Sequence, residues 1–352
     1  MKQFFKYFFY AFALGLFVTS CSNDDDFTSS VPLGDYDNGY FILHEGAGVI
    51  TPVTFVAEDG TVTSNVFETV NPDAEPIGGY KQDLFFDDTR AFIVSGAGQT
   101  VTVVNRYTFE FIATIATDLQ NPRYGAIHNG KAYVTNSGDF ATTDDDFVTI
   151  IDLNDYSTTT TVIGNVVDRI EAINGKLYIT NGSYGSGNTL TILNPSDIST
   201  TTIDLGTGNS PNSFEQANDG FLYVLTNNSS SNAKIIKINV SNESIESTLD
   251  FPAALGSAKH LDIDENMAYF TNETSVYSFT LGSTTVSETP ILSYNSSSQY
   301  GSMYGFAVNN DTIYICDAGD FASAGIAYEY NMSGDVLKTT TTDVAPNSFH
   351  FN

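Results

Sequence analysis

Seven positions carry the side chains best suited to gripping a ligand. Counting nine residues back from a recurring aromatic reaches Tyr124, Arg169, Phe214 and His260, and small length changes add Tyr80, Tyr304 and Phe349. Five aromatics, a guanidinium and an imidazole suit a flat or amphipathic organic molecule. Aromatic faces bury area at little entropic cost, and the polar pair can fix orientation. Aromatics at such positions would serve equally well as wedges between neighbouring structural units. A cation in a packed wedge would need a partner, however, so Arg169 and His260 tilt the reading toward binding. Three loops add Phe140, Tyr184 and Phe321: "NSGDFATTDDD" (136–146), "NGSYGSGN" (181–188) and "DAGDFASAG" (317–325). Aromatics and amides at loop tips look like binding apparatus, although Gly, Asn and Asp also recur there as turn residues.

Other chemistry is sparser. Asp139, Asp144, Asp145 and Asp146 could supply oxygen ligands to calcium, without the spacing of an EF-hand loop. The histidines are His44, His128, His260 and His350, and no nucleophile–base pair or paired catalytic carboxylates stand out around them. Asp262, Asp264 and Glu265 look like a carboxylate cluster, but "HLDIDEN" alternates as a strand running into a turn. The expectation is a binding protein rather than an enzyme. With 13 Lys+Arg against 42 Asp+Glu the net charge is −29, which repels phosphate backbones and argues against a nucleic-acid partner.

The elements that must position these residues repeat. "YFILHEG", "AFIVSGA", "AYVTNSG", "LYITNGS", "LYVLTNN", "AYFTNET" and "IYICDAG" place marker aromatics at Tyr40, Phe92, Tyr133, Tyr178, Tyr223, Tyr269 and Tyr314. All but the first are preceded by a short segment such as "NPRYGAIHNG" (121–130), and each is followed by a polar loop and a Thr/Val-rich hairpin such as "FVTIIDLNDYSTTTTV" (147–162). A period near 45 residues with strand composition predicts an all-β fold, a seven-bladed β-propeller of four-stranded blades. The C-terminal "PNSF" (346–349) copies "PNSF" at 211–214, the first strand of another blade, while the N-terminal hairpin "ITPVTFVAEDGTVTSNVF" (50–67) and its marker strand lack such a strand. The C-terminal strand is therefore expected to pair with the N-terminal one, close the ring and remove its open edges. The seven candidate residues then fall near the starts of the inner strands and ring one end of the central channel.

The N-terminus reads differently. Lys2 and Lys6 precede an apolar run of signal-peptide length and "VTSC" at 18–21. This resembles the lipobox of bacterial lipoproteins, which implies removal of the signal (1–21) with lipidation of Cys21. "SNDDDF" (22–27) resembles the surface-export signal of Bacteroidetes lipoproteins, so residues 22–37 read as an acidic tether and 38–352 as the propeller. The implied location is the outer membrane, lipid-anchored and facing the exterior. With Cys21 committed to lipid, Cys316 has no disulfide partner and reads as a buried thiol.

"YVTN" (133–136), "YITN" (178–181) and "YFTN" (269–272) resemble the YVTN family of β-propellers, and the chain as a whole is similar to the YncE-like propeller lipoproteins of Bacteroidetes. Some of that group capture cobalamin and related corrinoids for a TonB-dependent transporter, so the resemblance implies a corrinoid ligand and such a transporter as partner. A glycan-binding or adhesion propeller is the alternative, and a lactonase- or lyase-type enzyme stands third. No cofactor beyond the weak calcium site is expected.

Overall fold

A computed structural model describes residues 32–46, 52–182, 185–227, 232–296, 298 and 300–352. The signal segment, Cys21, most of the tether and Tyr184 lie outside the described residues. Among those described, the strands form seven antiparallel sheets of four. Blades 1 to 7 are numbered here by their marker strands: Gly39–His44, Arg90–Ser95, Lys131–Asn136, Lys176–Asn181, Phe221–Asn227, Met267–Asn272 and Thr312–Asp317. The innermost strands of blades 2 to 7 are Lys81–Phe86, Pro122–His128, Val167–Ile173, Ser210–Gln216, Lys259–Asp264 and Gly305–Asn309.

Blade 1 takes its inner strand, Pro346–Phe351, from the far end of the chain. It pairs antiparallel with Gly39–His44, setting Ile42 opposite Phe349 and Tyr40 opposite Phe351, so the ring closes as expected.

The core is distributed. Seven apolar clusters each join two adjacent blades, from the Phe41–Leu84 cluster between blades 1 and 2 to the Ile42–Ala327 cluster between blades 7 and 1. The marker strands, in the middle of each sheet, are buried along almost their whole length, whereas outer strands such as Thr158–Val162 alternate or lie open. This matches the Thr richness of the outer strands, where a β-branched hydroxyl fits a half-wet pleat.

Two details differ from the sequence reading. Blade 1's marker is Phe41, the third residue of its strand as in the other six blades, and not Tyr40. A one-residue slip reverses the face, so Tyr40 turns toward blade 7 and donates a 2.6 Å hydrogen bond to Glu329. The predicted hairpin at 50–67 has only a two-residue second strand, Val62–Thr63, before Asn65 at φ 56° turns the chain into a short helix, Val66–Val70, that buries Val66 and Phe67.

Candidate functional site

Strand parity sorts the side chains of the inner strands into two sets, both of which border the channel. Opposite the marker aromatics, the inner strands place Phe85, Ala126, Glu171, Glu215, Asp262 and Ala307, with His350 opposite Phe41. Two residues earlier, toward the strand starts, stand Asp83, Tyr124, Arg169, Ser213, His260 and Ser348. These two layers share one face of the pleat. The residues between them, including Leu84, Ile170, Phe214 and Phe349, enter the clusters between blades. Register shifts at the starts of the inner strands of blades 2 to 6 re-aim the first side chains, as β-bulges do. Two cavities, about 370 and 580 Å³, occupy the channel and share Asp83, Tyr124, Arg169, His260, Asp262 and Phe306.

Most polar groups on this wall fasten one blade to the next. Gly125 N–H donates to Asp83 Oδ2 (2.9 Å), Ile263 N–H to Glu215 Oε2 (2.6 Å), Val308 N–H to Asp262 Oδ2 (3.0 Å) and Leu261 N–H to Ser213 Oγ (2.7 Å). Arg123 bridges three blades, reaching Gln82 Oε1 at 2.7 Å and Asp168 Oδ1 at 2.8 Å.

Blade 4 is the exception. Arg169 stacks its guanidinium over the Tyr124 ring, 4.6 Å from the centroid, yet its buried Nε finds no acceptor, and no ion pair forms to it among the described residues. Glu171, two residues along the same strand, has no hydrogen-bond partner among them either.

Burial dominates the proton affinities here. It raises Glu171 to about 7 against the pull of Arg169, and Asp83 to about 6 against the Gly125 N–H and Arg169. Glu215 and Asp262 are also raised by burial, Glu215 further by the Asp262 and Glu171 charges. Burial, with Arg169 nearby, lowers His260 to about 3 and His350 to about 4, so both imidazoles are neutral. Ser348 Oγ lies 2.8 Å from His350 Nε2, a pairing the sequence reading missed. Its signal was the Ser-x-His alternation on the closing strand, which places both side chains on one face.

Above these layers the loops after the marker strands meet those entering the inner strands. Tyr304 donates its hydroxyl to Glu45 and sets its ring edge-on to Phe321, centroids 4.8 Å apart. Tyr80 and Phe140, 42% and 63% exposed, line a more apolar pocket of about 360 Å³ with Ala97 and Pro122. That pocket shares Glu45, Gln82 and Arg123 with the larger channel cavity.

The structure thus brings Tyr124, Arg169, His260 and Tyr304 together at the channel, with Phe321 and Phe140 at its mouth. Three of the seven predicted ring members sit differently from the rest. Phe214 and Phe349, 5% and 8% exposed, belong to the clusters between blades and also line the cavities. Nine residues back from the marker is the wrong parity in blade 5, where the residue opposite Tyr223 is Glu215, one residue further back than Ala126 is from Tyr133, because the turn between the two strands is longer. Tyr80 precedes its strand at φ 51°, and its backbone bonds to Glu45 and Gly96, which tie it to the rim beside the channel. Sequence reading overlooked the inward carboxylates Asp83, Glu171 and Glu215.

Of the acidic loop, Asp145 Oδ2 accepts from Asp139 N–H and Asp146 Oδ2 from Val167 N–H. Among the described residues no group of three or more His, Cys, Asp or Glu is arranged to hold a metal ion.

The fold and channel define a seven-bladed β-propeller with a polar, ligand-sized central cavity beneath an aromatic rim. Residues 38–344 match the family described as Domain of unknown function (DUF5074), and the chain belongs to that family. No curated protein matches it. Among solved structures, a quinonprotein alcohol dehydrogenase-like protein from Bacteroides thetaiotaomicron is 17% identical over 90% of this chain and 78% of its own, with a TM-score of 0.70. A functionally unknown protein from Desulfotomaculum acetoxidans is 13% identical, covering 90% of this chain and all of that one, at 0.65. An inactive virginiamycin B lyase from Staphylococcus aureus, solved with quinupristin, is 14% identical over 81% and 93%, at 0.59. At these identities the likeness is one of fold.

Proposed function

We propose that this protein captures a small organic ligand at the mouth of its channel. The observation carrying the reading is continuity: the rim pocket of Tyr80 and Phe140 and the channel cavity beneath Tyr304 share lining residues, forming one apolar-to-polar recess. A recess with an apolar lip and a few convergent polar groups is the usual form of a small-molecule site. The finer reading is capture of a corrinoid by an outer-membrane lipoprotein, anchored at Cys21 and facing the exterior, that passes its ligand to a TonB-dependent transporter. Its support is the sequence resemblance. A corrinoid would lie across the rim aromatics and send a polar arm into the channel. Calorimetry with cyanocobalamin tests it, using wild type, Tyr80→Ala and Phe140→Ala; binding weakened at least 10-fold by both changes supports it, and no heat at millimolar ligand refutes it.

A second reading has one observation in its favour, the 2.8 Å contact between Ser348 and His350, which has the form of a nucleophile and its base. An imidazole held at about 4 is a weak base at neutral pH, so binding ranks ahead of hydrolysis. Turnover of p-nitrophenyl acetate that disappears in Ser348→Ala would reverse that order.

A further inference from the structure

We propose that the polar depth of the channel is a site for a compact zwitterion of the amino-acid class, its carboxylate on Arg169 and its ammonium on Glu171 and Glu215. The inference rests on the capture reading above and names the chemistry of the group that enters the channel.

The argument starts from what the wall leaves unspent. Asp83, Glu215 and Asp262 each receive a backbone N–H from the next blade, and Arg123 is held by Asp168 and Gln82. Arg169 and Glu171 receive nothing of the kind, although both line the smaller cavity. A buried guanidinium without an acceptor is costly, and its neighbour is an aromatic face, which orients the cation without neutralising it. Leaving such a donor open is sensible where a ligand oxygen will complete it, and guanidinium geometry favours a carboxylate.

A simple anion does not fit, because Asp83, Glu171, Glu215 and Asp262 line the same cavity and would oppose a second negative charge. A simple cation does not fit either, because it would meet Arg169. A ligand carrying both signs satisfies both. Arg169 and Glu171 sit two residues apart on one strand, roughly 6–7 Å along it, which suits charges only a few bonds apart. Ligand ammonium would also draw Glu171, whose proton affinity is raised by burial, into its ionised form. Phe85 and Phe306 provide the apolar side of the cavity for a side chain.

The test is a thermal-shift and calorimetric screen of the full chain against the proteinogenic L-amino acids and glycine betaine. Each amino-acid hit is repeated as its N-acetyl and its amide derivative. The expected result is a hit that loses at least 10-fold in affinity in either derivative, with a similar loss in Arg169→Gln and in Glu171→Gln. Arg169→Lys, which keeps the charge without the fork, is expected to retain part of the binding, and melting curves show that each variant is folded. No hit in the panel, or hits that bind equally well as derivatives, overturns the proposal. Cyanocobalamin binding at the rim without any zwitterion hit would sink this inference alone; failure of both would sink the capture reading with it.

Discussion

Phe349→Ala distinguishes a blade-closing wedge from a ligand contact. The ring sits between blades 7 and 1, with Tyr40 and Tyr314 at centroid distances of 5.8 and 5.4 Å and Cys316 and Ala327 in the same cluster. Truncating a buried phenylalanine costs about 3–5 kcal/mol, from lost transfer energy and the cavity left behind. The compact unit spans residues 33–352, and an unfolding entropy of ~2.1 cal/mol/K per residue gives about 0.7 kcal/mol/K. The melting temperature should therefore fall by about 4–8 °C. Phe140→Ala, on the exposed rim, removes little buried area and should stay within about 1 °C of wild type. Calorimetric melts of the two variants beside wild type read the difference directly. A Phe349→Ala protein that melts with wild type would show that the closing strand is not held by this wedge, and would restore Phe349 to the list of candidate ligand contacts.

Glycine 182 should not accept a side chain: a Cβ there would lie 2.2 Å from the Pro211 carbonyl oxygen, so Gly182→Ala should cost about 1–3 kcal/mol in a urea titration, and a silent variant would contradict the tight blade 4–5 contact. Arg123→Met should lose about 3–5 kcal/mol, because it strands Asp168 among buried neighbours; a loss below about 1 kcal/mol would make this an ordinary surface pair. The channel also sets a pH dependence. Carboxyls raised by burial stabilise the fold below their unfolded pKa and lose that contribution as pH rises through the folded value, whereas the lowered His44, His260 and His350 lose theirs as pH falls below about 6.5. By about pH 7.5 the histidines have nearly finished titrating, and above pH 8 the buried Lys81, lowered to about 8, opposes the carboxyls; melting temperature should therefore decline between about pH 7 and 8, less steeply in Glu171→Gln/Glu215→Gln, and a rise over that window would refute the assignment. Cys316, fully buried with its thiol pKa raised by burial, should ignore a thiol reagent until denaturant is added, and rapid native labelling would contradict its placement.

The blade count, the closing strand and the strand order were legible in the sequence because each marker strand is a buried run bounded by turn residues, and because "PNSF" occurs twice. The site was legible only in part. Tyr124, Arg169, His260 and Tyr304 reach the channel as the spacing suggested. Phe214 and Phe349 border the cavities but turn into the clusters between blades, because the turn after the inner strand of blade 5 is one residue longer and the closing strand has no marker of its own to count from. The inward carboxylates were hidden for a related reason. Glu171 and Glu215 sit in ordinary alternating text, "RIEAI" and "FEQA", where an acidic residue reads as solvent-facing. In this fold the innermost strand of each blade borders the channel, so a polar residue of that strand points to the site and not to bulk solvent. His350 was noticed as a residue, but its pairing with Ser348 depends on the strand's being innermost.

The closing strand also fixes an order of assembly. Blades 2 to 7 are each built from consecutive chain, whereas blade 1 needs both ends, as in the hydrogen bond from the Asn352 amide to the Tyr36 carbonyl, 316 residues away. The entropic cost of that loop is modest, about 1.5–2 kcal/mol more than for a blade-sized one, because it grows only with the logarithm of length. Timing is the larger consequence. Until Pro346–Phe351 has emerged, the newly made chain has a bare strand edge at Gly39–His44 of blade 1 and an uncovered apolar face on blade 7, features through which unfinished β-proteins join one another. The last strand is therefore a latch, and whatever holds the chain before it engages must shield that edge and that face.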